Sequence, residues 1–173
     1  MKAKIESRAV SRAAPLVRRL RLVSADATAF APFGSFVTPP DQPGERAFYS
    51  DAFTGAPADS AAVVHVNNVV ASELPLEVRR IERHAHAAQC FIPLDVAHYL
   101  VMVMPSDPAG DPDPDGAIAF ELPGTTGVIY APGVWHLGAT VIGRNGHFVV
   151  TMWRGGAQAD DEFRDIDPIL LTC

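Results

Sequence analysis

Apolar residues in this chain come in short runs separated by proline, glycine and acidic residues. Sustained helix-period spacing is scarce. Residues 99–104 form an almost unbroken apolar run, the pattern of a strand covered on both faces. Residues 63–70, 117–122, 127–131, 140–142 and 147–153 read as further strands, with 17–23 as a first one. Residues 47–49 read as a short strand inside a loop rich in Pro, Gly, Ala and Asp over 38–60. Residues 78–91 read as one longer extended segment, closed by Pro93. Ser24 or Asp26 can cap a short helix through Phe30, which Pro32 stops. The acidic Pro/Asp/Gly stretch 105–116 predicts a long hairpin connection, and Asn145-Gly146 a type I′ turn before the last strong strand. The acidic tail from Gly155 offers Ile166, Ile169 and Leu170 as anchors. About eight to ten short strands with little helix predict an all-β sandwich, jelly roll or small barrel.

Composition narrows this picture. The 173 residues fit one domain, expected over 17–173 behind a loose segment 1–16. Fifteen prolines and thirteen glycines exceed the usual share of about 12% and fit a turn-rich fold. No stretch is long and apolar enough for a membrane helix. The net charge of −6 argues against nucleic acid as a partner. The charge is uneven, because residues 1–22 carry seven basic side chains against Glu6 alone. Such a start has the composition of a transit peptide. Pro15 interrupts any amphipathic helix there, so a loose start leading into a first strand is the expectation. Cys90 and Cys173 form no disulfide framework, which points to a reducing cytoplasm.

Candidate chemistry lies in two places. The first is Glu82-Arg83-His84-Ala85-His86, followed by Gln89. On a continuous strand His84 and His86 share a face and make a two-imidazole metal corner. Glu82 and Arg83 are read as lying off that face, with one of them exposed. Gln89 falls on the other face unless a bulge intervenes. The second is P-G-V-W-H over 132–136, where the Pro132-Gly133 turn delivers Trp135 and His136. An H-x-H followed some distance later by P-G-x-x-H resembles the paired motifs of the cupin superfamily. The acidic ligand usual there after the second histidine is absent, since Cys90 and Phe91 stand in its place. Arg154, at the end of the last strong strand, can hold a carboxylate bidentately or pair with the acidic tail. His65, His98 and His147 read as structural. Asp111, Asp113 and Asp115 imitate a calcium loop but lack its flanking helices and its final glutamate, so calcium is not expected.

Taken together, these blocks resemble the ureidoglycolate lyase family. They are F-A-P-F-G over 30–34, L-P-L over 74–76, I-E-R-H over 81–84 with Q-C-F-I-P over 89–93, G-V-I-Y over 127–130, G-V-W-H over 133–136 and R-G-G over 154–156. The resemblance implies a cupin-type double-stranded β-helix, often homodimeric. It also implies cleavage of ureidoglycolate to glyoxylate and urea, a late step of allantoin breakdown. The implied catalytic residues are His84, His136 and Arg83. Gln89, Tyr130 and Arg154 are the implied substrate-binding residues. Three departures stand out. Leu137 replaces a second histidine common after V-W-H, Trp153 replaces an acidic residue before R-G, and His86 is added. These changes shift the pattern toward a metal site of His84, His86 and His136, suited to one zinc, iron, nickel or manganese ion. The rival expectations are a metal-dependent cupin enzyme acting on another small carboxylated substrate, and a non-catalytic small-molecule binder.

Overall fold

A computed structural model describes residues 17–156 and 159–173. The expected loose segment 1–16 lies outside them. Thirteen strands, one short α-helix and one 3-10 turn (Pro114–Gly116) are described. In chain order they are β1 (Arg18–Arg21), β2 (Val23–Ser24), α1 (Ala27–Phe30), β3 (Gly34–Val37), β4 (Ala61–Val69), β5 (Leu76–His84), β6 (Gln89–Pro93) and β7 (His98–Met104). They continue with β8 (Ile118–Pro123), β9 (Gly127–Tyr130), β10 (Trp135–His136), β11 (Thr140–Ile142), β12 (Gly146–Arg154) and β13 (Asp161–Thr172). One sheet runs β1-β13-β5-β10-β7-β8-β2, with β11 also on β7, and the other runs β3-β9-β6-β12-β4. This is the two-sheet β-barrel of a cupin jelly roll. No helix among the described residues is long and apolar enough to cross a membrane.

The apolar pattern explains the layers. β7 sits inside its sheet and buries both faces. Tyr99, Val101 and Val103 enter the core between the sheets, while Leu100, Met102 and Met104 enter a second cluster on the opposite face. β12 alternates cleanly, with Phe148, Val150 and Met152 buried and the residues between them half-buried. Asp26 caps α1 by accepting from Thr28 N (2.8 Å) and Ala29 N (3.1 Å), and Pro32 follows its end. Phe30, carried by that helix, stacks on Phe36 at 4.3 Å.

Several expectations need correction. Residues 47–49 are not a strand; the Tyr49 hydroxyl instead donates to the Thr38 carbonyl at 2.8 Å. Asn145-Gly146 is no type I′ hairpin, because β11 pairs with β7 whereas β12 pairs with β4 and β6. The left-handed residue there is Gly143, and Asn145 Oδ1 accepts from Ala71 N. The acidic tail is a full strand, β13, paired with both β5 and β1. Its ladder shifts register between Asp165 and Ile169, and that irregularity, with Pro168, blurred its alternation in the sequence.

The extended segment 78–91 is two strands in different sheets. The chain turns over residues 85–88, where backbone groups find partners outside a ladder. Gly133 N donates to His84 O (2.7 Å), Ala85 N to Asp160 O (3.0 Å) and Ala88 N to Thr54 O (2.9 Å). Asp160 Oδ1 accepts from His86 N. The turn resets the alternation, and this decides which side chains reach the site.

Candidate functional site

β5 and β10 pair with His136 directly opposite Glu82. Pro132 and Gly133 occupy the centre of a β-turn closed by Val134 N to Ala131 O, with Gly133 at φ 78°. That left-handed position suits glycine in a type II turn. The turn sets the phase of β10, so Trp135 and His136 leave on opposite faces. Trp135 packs in the second apolar cluster under the Arg83 guanidinium, 4.3 Å from its ring centre. His136 turns into the barrel.

Glu82, His84 and His136 offer ligand atoms that all lie within 4.8 Å of one another. The His84 and His136 ring centres are 5.8 Å apart. His136 Nδ1 donates to the Val134 carbonyl at 2.9 Å. Its Nε2 faces two oxygens, Gln89 Oε1 at 3.2 Å and Glu82 Oε1 at 3.5 Å. With Nδ1 committed as a donor, Nε2 meets two acceptors only with a second proton, or with a cation between the groups. Tyr130 stacks on the His136 ring at 4.0 Å and holds its plane. Both ring nitrogens of His84 are buried without a hydrogen bond. Nδ1 lies 2.9 Å from Asp161 Oδ1, but the two are not aligned for one. The donor set therefore fits a divalent cation, with two imidazoles and a carboxylate converging on one point.

Burial strongly disfavours a charged His84, and the neighbouring His136 opposes it further. Glu82 and Asp160 pull the other way without cancelling these effects, and the pKa falls to about 4. His84 is thus a neutral imidazole near pH 7 and lies below the range expected for a histidine acid. Burial pushes the Glu82 carboxyl up. The hydrogen bond and charge of His136, with smaller effects from His84 and Arg154, outweigh this and leave its pKa lowered. Between about pH 6.5 and pH 4 the unfolded chain protonates His84 while the folded chain does not. Folding stability of the chelator-treated protein is therefore expected to fall by about 3 kcal/mol as the pH drops through that window. Glu82 adds a loss of the same sign at lower pH. Urea unfolding at pH 7 and pH 4.5, compared with a His84→Gln variant lacking most of that slope, checks it.

A cavity of about 560 Å³ opens over this cluster, lined by Glu82, His84, Gln89, Met152, Arg154 and Asp161, with His65 and Asn67 of β4, the neighbour of β12, also on its wall. His136 lies behind Glu82 and Gln89 and is 1% exposed. Of the sequence candidates, His84, His136, Gln89 and Tyr130 come together, and Arg154 stands at the rim, paired with Asp161. Two do not join them. His86 lies exposed in the turn after β5, so it does not complete a three-histidine corner, and Glu82 takes that place. Arg83 points to the other face, onto Trp135, and is held by Glu162 (2.8 Å) and the Gly110 carbonyl (2.8 Å).

Glu82 was legible after all, since it stands two residues before His84 and period-two alternation gives both the same face. Asp161 carried no local signal, because it meets His84 only through the β13–β5 pairing. His65 was read as structural, yet alternation along β4 brings it to the cavity wall. The aspartates of the 105–116 loop hold the loop together and tie it to the first and last strands, where Asp111 meets Arg164. Asp107 accepts from Ala109 N and Asp111 N, Asp113 caps the turn at Asp115 N, and Asp115 pairs with Arg18.

Leu137 and Trp153, two of the three family departures, also fall outside the cavity lining. Leu137 packs in the second apolar cluster. Trp153 stacks on Phe53 at 5.9 Å, on the far side of β12 from Met152 and Arg154.

Comparison with known proteins agrees with this architecture. Residues 17–171 match the family model described as ureidoglycolate lyase. Proteins named ureidoglycolate lyase are similar over most of their length. The one from Stutzerimonas stutzeri (strain A1501) is 33% identical over 156 residues, covering 85% of this chain and 90% of that protein. The one from Burkholderia cepacia is 33% identical over 168 residues, covering 92% and 88%. The one from Pseudomonas paraeruginosa (strain DSM 24068 / PA7) is 32% identical over 166 residues, covering 90% and 96%. A family match over nearly the whole described chain, carried on a cupin-type barrel with this buried cluster, means that the chain belongs to the ureidoglycolate lyase family.

Proposed function

We propose that this protein is a lyase that cleaves ureidoglycolate to glyoxylate and urea, in the breakdown of allantoin. The observation that carries the proposal is the buried Glu82–His84–His136 cluster under a cavity with an arginine at its rim. Ureidoglycolate carries a hydroxyl and a ureido nitrogen on one carbon, next to a carboxylate. Its cleavage breaks the O–H and C–N bonds and forms a carbonyl and an N–H bond. One proton must leave and one must arrive.

The histidine pair suits that exchange. His136 Nε2 faces the Gln89 and Glu82 oxygens, a setting that favours an N–H there, and its ring centre is 5.8 Å from that of His84. His84, neutral, accepts the hydroxyl proton. His136 delivers its proton through the Glu82 carboxylate to the departing nitrogen. The proton that His84 gains and the proton that His136 gives up balance within the pair. Gln89 and Asn67 supply carboxamides to the ureido group, and Arg154 meets the carboxylate. Tyr130 serves by holding His136 in plane. A divalent ion (zinc, iron, nickel or manganese) would be held by Glu82, His84 and His136 and would supply a Lewis acid there.

Arg154→Ala is expected to raise KM roughly 10- to 100-fold with a smaller change in kcat, as loss of a charged hydrogen-bond partner requires. An unchanged KM in a glyoxylate-release assay removes Arg154 from substrate binding. The proposed setting is a homodimer in the cytoplasm. The edge strand β4 supports the first, since it exposes Val64 and Val66 and pairs on one side only. The free thiols Cys90 and Cys173 support the second.

A further inference from the structure

Asp161 begins β13 and stands directly opposite His84 in the ladder. Its two oxygens point to two different partners. Oδ1 lies 2.9 Å from His84 Nδ1, and Oδ2 pairs with the Arg154 guanidinium. Oδ1 and Nδ1 are both buried and both lack an aligned hydrogen bond, so a small rotation of either group satisfies two buried atoms at once. Asp160 is the other carboxylate near that nitrogen. Its Oδ2 is 3.8 Å away, and its Oδ1 is committed to the backbone of His86.

The charges around the cavity sharpen the point. Glu82 and Asp161 line it beside Arg154, the Lys/Arg side chain on its wall, and Asp161 is paired with that cation. An entering carboxylate finds that cation already occupied and two like charges on the same wall. It must take Arg154 from Asp161.

We propose that Asp161 is a positioning residue that fixes His84 in its Nδ1–H form through Oδ1 and holds Arg154 through Oδ2 until a ligand carboxylate replaces it. This rests on the lyase reading for what the cavity binds, but not for the geometry itself. With Nδ1–H held by Asp161, the lone pair of His84 is on Nε2, where it can receive a proton or a cation. When the ligand takes Arg154, Oδ2 is released and the carboxylate is free to align Oδ1 with the ring. Ligand capture and base orientation are thereby coupled through one side chain.

The test uses the full chain and Asp161→Asn, with Asp161→Asn/Arg154→Ala as the control. Glyoxylate binding by calorimetry and the ¹⁵N tautomer signature of His84 are both read without turnover. Asp161→Asn is expected to bind glyoxylate about three- to fivefold more tightly, the size of a partly exposed ion pair released. The double variant is expected to lose that gain. The His84 signal is expected to shift from the Nδ1–H form toward a mixture, and kcat for ureidoglycolate to fall roughly 10- to 100-fold, as for loss of a residue that orients a histidine. Unchanged or weaker glyoxylate binding in Asp161→Asn, or an unaltered His84 tautomer, overturns the proposal. A wild-type protein that does not cleave ureidoglycolate, while Asp161→Asn still shifts the tautomer and tightens glyoxylate, overturns the lyase reading and leaves this one standing.

Discussion

His136→Ala is expected to lower kcat for glyoxylate release roughly 10³-fold, the range for loss of a positioned acid or base. The effect should come from chemistry rather than from collapse. His136 contributes one ring to a barrel whose core is carried by Phe, Val, Leu and Met side chains on both faces of β7. Glu82→Gln is the companion variant, because it keeps shape and removes the charge that faces His136 Nε2 at 3.5 Å. Both variants interrupt the same proton path, so the double variant should be little worse than either single one. Steady-state kinetics with thermal unfolding on the same samples checks this. Full activity in His136→Ala removes that ring from the mechanism.

The adjacent residue should behave in the opposite way. Trp135→Ala is expected to destabilise the fold by about 4 kcal/mol, the usual cost of truncating a buried indole. Trp135 is fully buried, lies under the Arg83 guanidinium and donates from its ring nitrogen to the Gly110 carbonyl at 3.3 Å. Its removal leaves a cavity and takes away the ring on which Arg83 packs, while the Gly110 carbonyl keeps only its bond from Arg83. A fall in Tm of roughly 10 °C follows, with kcat per folded molecule nearly unchanged. A stable Trp135→Ala protein with lost activity would reverse the assignment of these two neighbours to structure and to chemistry.

That neighbouring pair shows what the sequence could carry. The Pro132-Gly133 turn is a local signal, and it sets which face each of the next two side chains takes. The apolar run that became β7 and the alternation that became β12 are equally local. Where strands were long and regular, periodicity alone assigned them.

The failures came where distant chain segments decide. His86 was expected beside His84 because residues 78–91 read as one strand. The turn that separates them is held by Gly133, Asp160 and Thr54, all remote in sequence. The same turn brings Gln89 to the cavity without a bulge. Arg83 was drawn to the site by its place in the motif, although alternation puts it on the Trp135 face. Glu82 shows the reverse case, since alternation alone puts it with His84. β13 was invisible because its register shift and its charges mask the pattern, and with it went Asp161. The edge strand β4 was found, but the role of its inner face, with His65 and Asn67 on the cavity wall, depends on the opposite sheet.

Glyoxylate release from ureidoglycolate by the purified protein, in dialysed and metal-supplemented samples side by side, tests the central claim most directly. The account predicts release that scales with protein and is lost in Glu82→Gln and His136→Ala. Release in both samples assigns the proton exchange to the side chains alone, and release only with metal assigns an ion to Glu82, His84 and His136. No release from the folded wild-type protein in either sample would contradict the account.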